Sequence, residues 1–204
     1  MIAIVDYGMG NLRSVQKAFE KSGARPKVTS SKSDIEKAGK IVLPGVGAFT
    51  AAVRELEKRR LVDVIRKKIL GGSPYLGLCL GLQLLFEESE ENEGKKRAFG
   101  FGIIPGKVKR FRVKLKVPHM GWNNLKLKKK DCPILKGVGG GDFFYFVHSY
   151  YGAPKDRDWI SSTTDYGLDF CSSVWRANIY ATQFHPEKSQ QAGFRIIRNF
   201  VRLR

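Results

Sequence analysis

A cysteine with a glycine two residues to either side can become a nucleophile if the chain turns sharply at it. The pentad Gly77-Leu78-Cys79-Leu80-Gly81 has that form. The run Pro74-Tyr75-Leu76-Gly77-Leu78 reads as a buried strand, and Leu80 to Phe86 reads as the helix that follows. At such a junction the backbone is strained, and the glycines let the two elements pass without a clash. The helix start then favours negative charge on sulfur and offers a backbone N–H to an oxyanion. Taken alone, the pentad reads equally well as a buried apolar cysteine in a glycine-punctuated core.

The base for such a thiol is His185 in Gln183-Phe184-His185-Pro186-Glu187, after the strand-like segment from Asn178 to Phe184. In an extended chain His185 and Glu187 point the same way, so the carboxylate can orient the imidazole while the ring takes a thiol proton. The blander reading is a histidine at a strand end and an acid opening the last helix. A third strand, Lys40-Ile41-Val42-Leu43, ends in Pro44-Gly45-Val46-Gly47, whose glycines free the backbone to turn N–H groups inward. Acyl transfer needs two such donors, one after the nucleophile and one from a neighbouring strand end.

The order glycine loop, Cys elbow, His-x-Glu resembles the class I, triad-type glutamine amidotransferases over essentially the whole chain. Asp6-Tyr7-Gly8-Met9-Gly10-Asn11, Pro118-His119-Met120-Gly121-Trp122-Asn123 and Phe146-Val147-His148-Ser149-Tyr150 narrow the resemblance. They are similar to the glutaminase subunits of imidazole glycerol phosphate synthases, rather than to the anthranilate synthase or pyridoxal phosphate synthase glutaminases. The resemblance implies Cys79 as nucleophile, His185 as base and then acid, and Glu187 as orienter. It implies an oxyanion hole from Leu80 and, after a peptide turn at Gly45-Val46, from Val46. Gly47, Gln83 and the backbone around His148, Ser149 and Tyr150 would hold L-glutamine. The implied partner is the synthase's cyclase subunit, a (βα)8 barrel forming a heterodimer, met through Asn11, Met120, Trp122, Tyr145 and Lys188. Neither metal nor organic cofactor is implied. The alternative is a basic binding module with a decayed site, but Cys79, His185 and Glu187 are all present.

These residues need strands that end together. Strand 2–6, helix 11–22, strands 27–29 and 41–43, a long helix 48–70 and the elbow alternate as in a doubly wound α/β fold. That predicts a mostly parallel sheet flanked by helices, with ligands bound outside the carboxyl ends of its strands. From Phe99 to Ser173 short, turn-punctuated strands predict an antiparallel insertion in the C-terminal half. A final strand and a helix over 190–203 close a single expected domain, 1–204. Glu87 to Lys96 reads as a charged loop.

Composition adds limits. The 204 residues are 42% hydrophobic, enough for a substantial core, and no apolar run approaches a membrane span. Three cysteines without C-x-x-C spacing suggest neither disulfides nor zinc, and a working thiol suits a reducing cytoplasm. The net charge is +18, and Lys107 to Lys130 carries ten Lys or Arg and no acid. The alternations Lys107-Val108-Lys109 and Val113-Lys114-Leu115-Lys116-Val117 read as strand with a wet, charged face. An acidic protein partner, and less readily nucleic acid, are the other readings.

Overall fold

The computed structural model describes residues 1–91 and 98–203. The first half alternates strand and helix as the sequence predicts: β1 (Ile2–Val5), α1 (Leu12–Lys21), β2 (Pro26–Thr29), α2 (Lys32–Lys37) and β3 (Lys40–Gly45). Next come α3 (Phe49–Lys58), α4 (Val62–Leu70), β4 (Tyr75–Cys79), α5 (Leu80–Gln83) and β5 (Phe86–Ser89). The second half is mostly strand: β6 (Ile104–Arg110), β7 (His119–Asn124), β8 (Lys126–Leu127), β9 (Phe143–His148) and β10 (Tyr150–Pro154). It closes with β11 (Ile160–Asp165), β12 (Asp169–Arg176), β13 (Ile179–Thr182) and α6 (Gln190–Val201).

The main sheet runs β2-β1-β3-β4-β13-β12-β11-β8. Its first five strands are parallel, and the last three continue it antiparallel. Successive side chains along a strand face opposite sides. Ile4 therefore joins Val15, Phe19, Ile196 and Phe200 under α1 and α6, while Val5 joins Phe49, Leu56 and Ile65 under α3 and α4. Burial of both faces explains why the parallel strands read as continuous apolar runs. The insertion also builds a sheet of β10, β6 and β5 and a two-stranded ribbon of β7 and β9. In β6 the wet-face reading holds at Lys107-Val108-Lys109, where Val108 is buried between exposed lysines.

Four local expectations differ from the structure. The long helix is two, α3 and α4, because Arg60 adopts a left-handed φ of 55°. There Arg60 N–H donates to Glu57 O and Leu61 N–H to Leu56 O, the bonding of a Schellman cap without its usual glycine. The helix after the elbow stops at Gln83, and Phe86 opens β5 beside β6. The start of the predicted charged loop is thus a strand; its part from 92 to 96 lies outside the described residues. Val113 to Val117 forms bends rather than a strand, and turns its valines onto the core under α6. Helix α2, capped by Ser31 accepting from Asp34 N–H, is too short and polar to show a period.

Candidate active site

Cys79 ends β4 with φ 52° and ψ −99°, a conformation that costs an L-residue energy and persists only where packing enforces it. The packing is visible at the flanking glycines. A Cβ on Gly81 would strike the Leu43 carbonyl of β3, and one on Gly77 would strike the Gly81 carbonyl. Beside the elbow, Gly45 stands opposite Cys79 in the β3–β4 register. It also has no room for a side chain, since a Cβ would run into the Tyr7 hydroxyl and Leu80. Gly47 has φ 105°, so the loop leaving β3 uses a conformation open to glycine.

The parallel register brings β13 beside β4, so the segment after Thr182 arrives next to the elbow. His185 itself is extended, but the chain does not stay so through Glu187, because Pro186–Lys188 is a 3-10 turn. That turn still carries Oε1 of Glu187 to 2.8 Å from His185 Nδ1, whose N–H donates to it. Burial opposes charge on the His185 ring, but the Cys79 sulfur and the Glu187 carboxylate outweigh it and raise its pKa to about 10. The ring feels the sulfur's charge, yet Nε2 falls outside hydrogen-bonding geometry to any described residue. The backbone of His185 is clamped as well: its N–H donates to Tyr145 O at 2.9 Å, and its carbonyl accepts from Ser189 Oγ at 2.6 Å.

A cavity of about 290 Å³ opens over the sulfur, lined by Val46, Gly47, Cys79, Leu80, Gln83, His148, Ser149 and Tyr150. Eight residues singled out in the sequence therefore meet at one site. Gly45, His185 and Glu187 adjoin it without lining it. Glu187 instead edges a wider groove between α1 and α6. The cavity also takes in Pro118 and Val147, which the sequence reading quoted in its motifs without a site role, and Glu91, which it missed. Glu91 sits in a run of acids with nothing in the sequence to set it apart; its Oε2 accepts from Phe49 N–H at 2.7 Å.

His119 and His148 face each other across the β7–β9 ribbon beside the cavity. His148 Nδ1–H donates to Tyr150 O at 2.8 Å, so its Nε2 accepts from His119 Nδ1 at 3.1 Å. Burial holds both well below the usual imidazole range, His119 at about 4 and His148 at about 3. They are neutral spacers that fix the carbonyl of Tyr150.

The residues singled out for a partner fall mostly on one surface. Met120 and Trp122 are 62% and 47% exposed. Trp122 meets Tyr145 edge-on at 6.0 Å, and Lys188 Nζ lies 5.6 Å over the Tyr145 ring. The Asn11 side chain caps α1, accepting from Ser14 N–H. No group of three metal-ligating side chains occurs among the described residues, and none of their helices is long and apolar enough to cross a membrane.

The imidazole glycerol phosphate synthase subunit HisH of Syntrophotalea carbinolica is 51% identical to this chain, covering 98% of each. That of Geobacter sulfurreducens is 50% identical, covering 98% of this chain and 97% of its own. That of Moorella thermoacetica is 46% identical, covering 99% and 94%. Among solved structures, a crystal structure of a glutamine amidotransferase superposes with a TM-score of 0.76 at 21% identity, covering 98% and 97%. The structure of PurLQS from Thermotoga maritima gives 0.74 at 18%, covering 98% and 96%, and these two speak for the fold alone. Residues 3–203 match the family described as glutamine amidotransferase class-I, and the chain belongs to that family.

Proposed function

We propose that this chain is the glutaminase subunit of an imidazole glycerol phosphate synthase, which hydrolyses L-glutamine and delivers the ammonia to a cyclase subunit in histidine biosynthesis. The observation that carries the reading is the convergence of Cys79, His185 and Glu187 beside a cavity of amino-acid size.

In this reading glutamine lies between Gly47, Gln83 and the 148–150 backbone, in the cavity that Glu91 also lines. His185 holds the proton of the Cys79 thiol, and the sulfur attacks the side-chain amide carbon. The carbonyl oxygen becomes an oxyanion, met by Leu80 N–H and, once the Gly45–Val46 peptide turns, by Val46 N–H. The imidazolium passes its proton to the departing nitrogen, the C–N bond breaks, and ammonia leaves a thioester on Cys79. His185 then takes a proton from water, the hydroxide displaces sulfur, and glutamate is released. Glu187 keeps the ring oriented and steadies its charge.

A resting loop that lacks one oxyanion donor would hold turnover down about 10²–10³-fold. That would prevent ammonia from leaking when no acceptor is present. The patch of Met120, Trp122, Tyr145 and Lys188 suits a partner, and Tyr145 O is bonded directly to His185 N–H. The partner fitting this reading is the (βα)8-barrel cyclase, as a heterodimer. The test is glutaminase turnover of the purified chain with and without that cyclase and its acceptor substrate. Near-silence alone and strong stimulation by the partner are expected, with Lys188→Ala and Asn11→Ala each lowering stimulation roughly tenfold. Full activity of the isolated chain would overturn the gating, and no glutaminase activity under either condition would overturn the function.

A further inference from the structure

Gln183 is fully buried at the end of β13, pinned by its backbone N–H to Ser172 O at 2.8 Å. A buried carboxamide must place its donors and its acceptor, and here the neighbours decide which way it points. Gln83 Nε2 donates to Tyr150 O at 3.0 Å and to Gln183 Oε1 at 3.2 Å. With Oε1 turned toward Gln83, the amide nitrogen of Gln183 faces the nucleophile and donates to Cys79 Sγ at 3.5 Å. His185 Nε2 lies outside good hydrogen-bonding geometry, although its ring is close enough to the sulfur to feel its charge. Gln183 thus holds the sulfur from a side other than the imidazole, and the same side chain holds Gln83, which lines the cavity.

We propose that Gln183 is a positioning residue for the nucleophile: its amide N–H fixes the Cys79 sulfur toward the cavity, and its carbonyl oxygen ties that sulfur to Gln83 and the glutamine-binding strand. The assignment rests on the glutaminase reading above. Its chemistry follows from the charge on sulfur. A hydrogen bond to a charged acceptor is stronger than one to a neutral acceptor, so the Gln183 N–H favours the anionic nucleophile over the thiol. Once the thioester forms, the sulfur is neutral and the bond weakens. A filled cavity that shifts Gln83 would in turn shift Gln183 and the sulfur with it.

Two variants separate the functions of the two ends of the carboxamide. Gln183→Met removes both bonds. Gln183→Glu keeps an oxygen for Gln83 Nε2 but sets a second carboxyl oxygen against the sulfur. The readouts are the rate of Cys79 alkylation by iodoacetamide as a function of pH, and steady-state glutaminase kinetics of the chain with its cyclase partner. Gln183→Met should slow alkylation at neutral pH about tenfold and raise the pH of half-maximal alkylation by about one unit. Gln183→Glu should move that pH at least as far, because sulfur and carboxyl cannot both ionise easily side by side. Its KM for glutamine should stay within about threefold of the parent while kcat falls ten- to a hundredfold.

Alkylation profiles unchanged in both variants, or a rise in KM with kcat intact in Gln183→Glu, would reduce Gln183 to core packing and overturn the proposal. Should Gln183→Met not fold, the near-isosteric Glu variant decides alone. A parent chain that lacks glutaminase activity with its partner would instead overturn the functional reading itself, so the two failures are distinguishable.

Discussion

The Glu187 carboxylate meets the His185 imidazole at 2.8 Å across a single intervening proline, with the two side chains only 4% and 2% exposed. The 3-10 turn at Pro186 allows this contact, which two residues apart in an extended strand would have left looser. Glu187→Gln should keep a hydrogen bond to Nδ1–H and lose the negative charge. Turnover should fall roughly 10–10³-fold, less than for His185→Ala, because the ring stays oriented but its cation is less stabilised. Equal losses would assign Glu187 a more direct part. The pH dependence has a definite sign. Against burial, His185 is raised from 6.5 to about 10 by the Cys79 sulfur first and by Glu187 next. The stability the imidazolium draws from both is therefore complete below about 6.5 and is lost as pH climbs through 10. Glu187→Gln should begin that alkaline loss at lower pH, as followed by thermal melts between pH 6 and 10.

The chain has three free cysteines, and only one of them lines the cavity. Burial pushes the Cys132 thiol up to about 11 and the Cys171 thiol up to about 12, so neither ionises readily. An electrophilic glutamine analogue should therefore modify Cys79 alone, read by peptide mass spectrometry. Cys79→Ala should lower glutaminase turnover by roughly 10⁶-fold while leaving the melting profile close to that of the parent. Label on Cys132 or Cys171, or activity retained in the variant, would refute the mechanism.

The elbow depends on space as well as chemistry. Gly81→Ala drives a methyl group into the Leu43 carbonyl, and backbone cannot yield as a flexible side chain would. Loss of about 2–3 kcal/mol or more in urea unfolding is expected, in the range of overpacked cores. Gly139→Ala, where a Cβ would meet nothing within 4 Å, should stay within about 0.5 kcal/mol and serves as the control. Similar costs at the two positions would show that the strand crossing is looser than described.

The paired histidines give a prediction at acid pH. His119 and His148 are held neutral by burial, with pKa values near 4 and 3 against 6.5 for an exposed ring. Protonation therefore favours the unfolded chain, and their effect on stability is absent above about 6.5 and grows as pH falls toward 4. Nitrogen-15 NMR of the imidazoles at pH 5 should show two rings still neutral, each protonated at Nδ1. His185, raised to about 10, should be the charged ring at that pH; a charge on His119 or His148 would contradict the buried dyad.

The sequence alone pointed to the candidate site and to much of the frame. Glycines at 77 and 81 around Cys79 announced a close crossing, since few other residues fit where backbone meets backbone. The apolar runs of β1, β3, β4 and β13 announced strands buried on both faces, and the short strands after Phe99 announced an antiparallel addition. Other features were set only when distant segments met. Arg60 ends α3 in a left-handed turn that a glycine would have advertised and an arginine hides. Val113 to Val117 alternates like a strand, yet among the described residues no strand pairs with it, and it bends. Glu91 and Gln183 look ordinary where they stand in the chain. They reach the cavity and the sulfur only because β4, β13 and the insertion are packed side by side. Contacts between residues a hundred positions apart depend on sheet order and register, which local pattern does not encode.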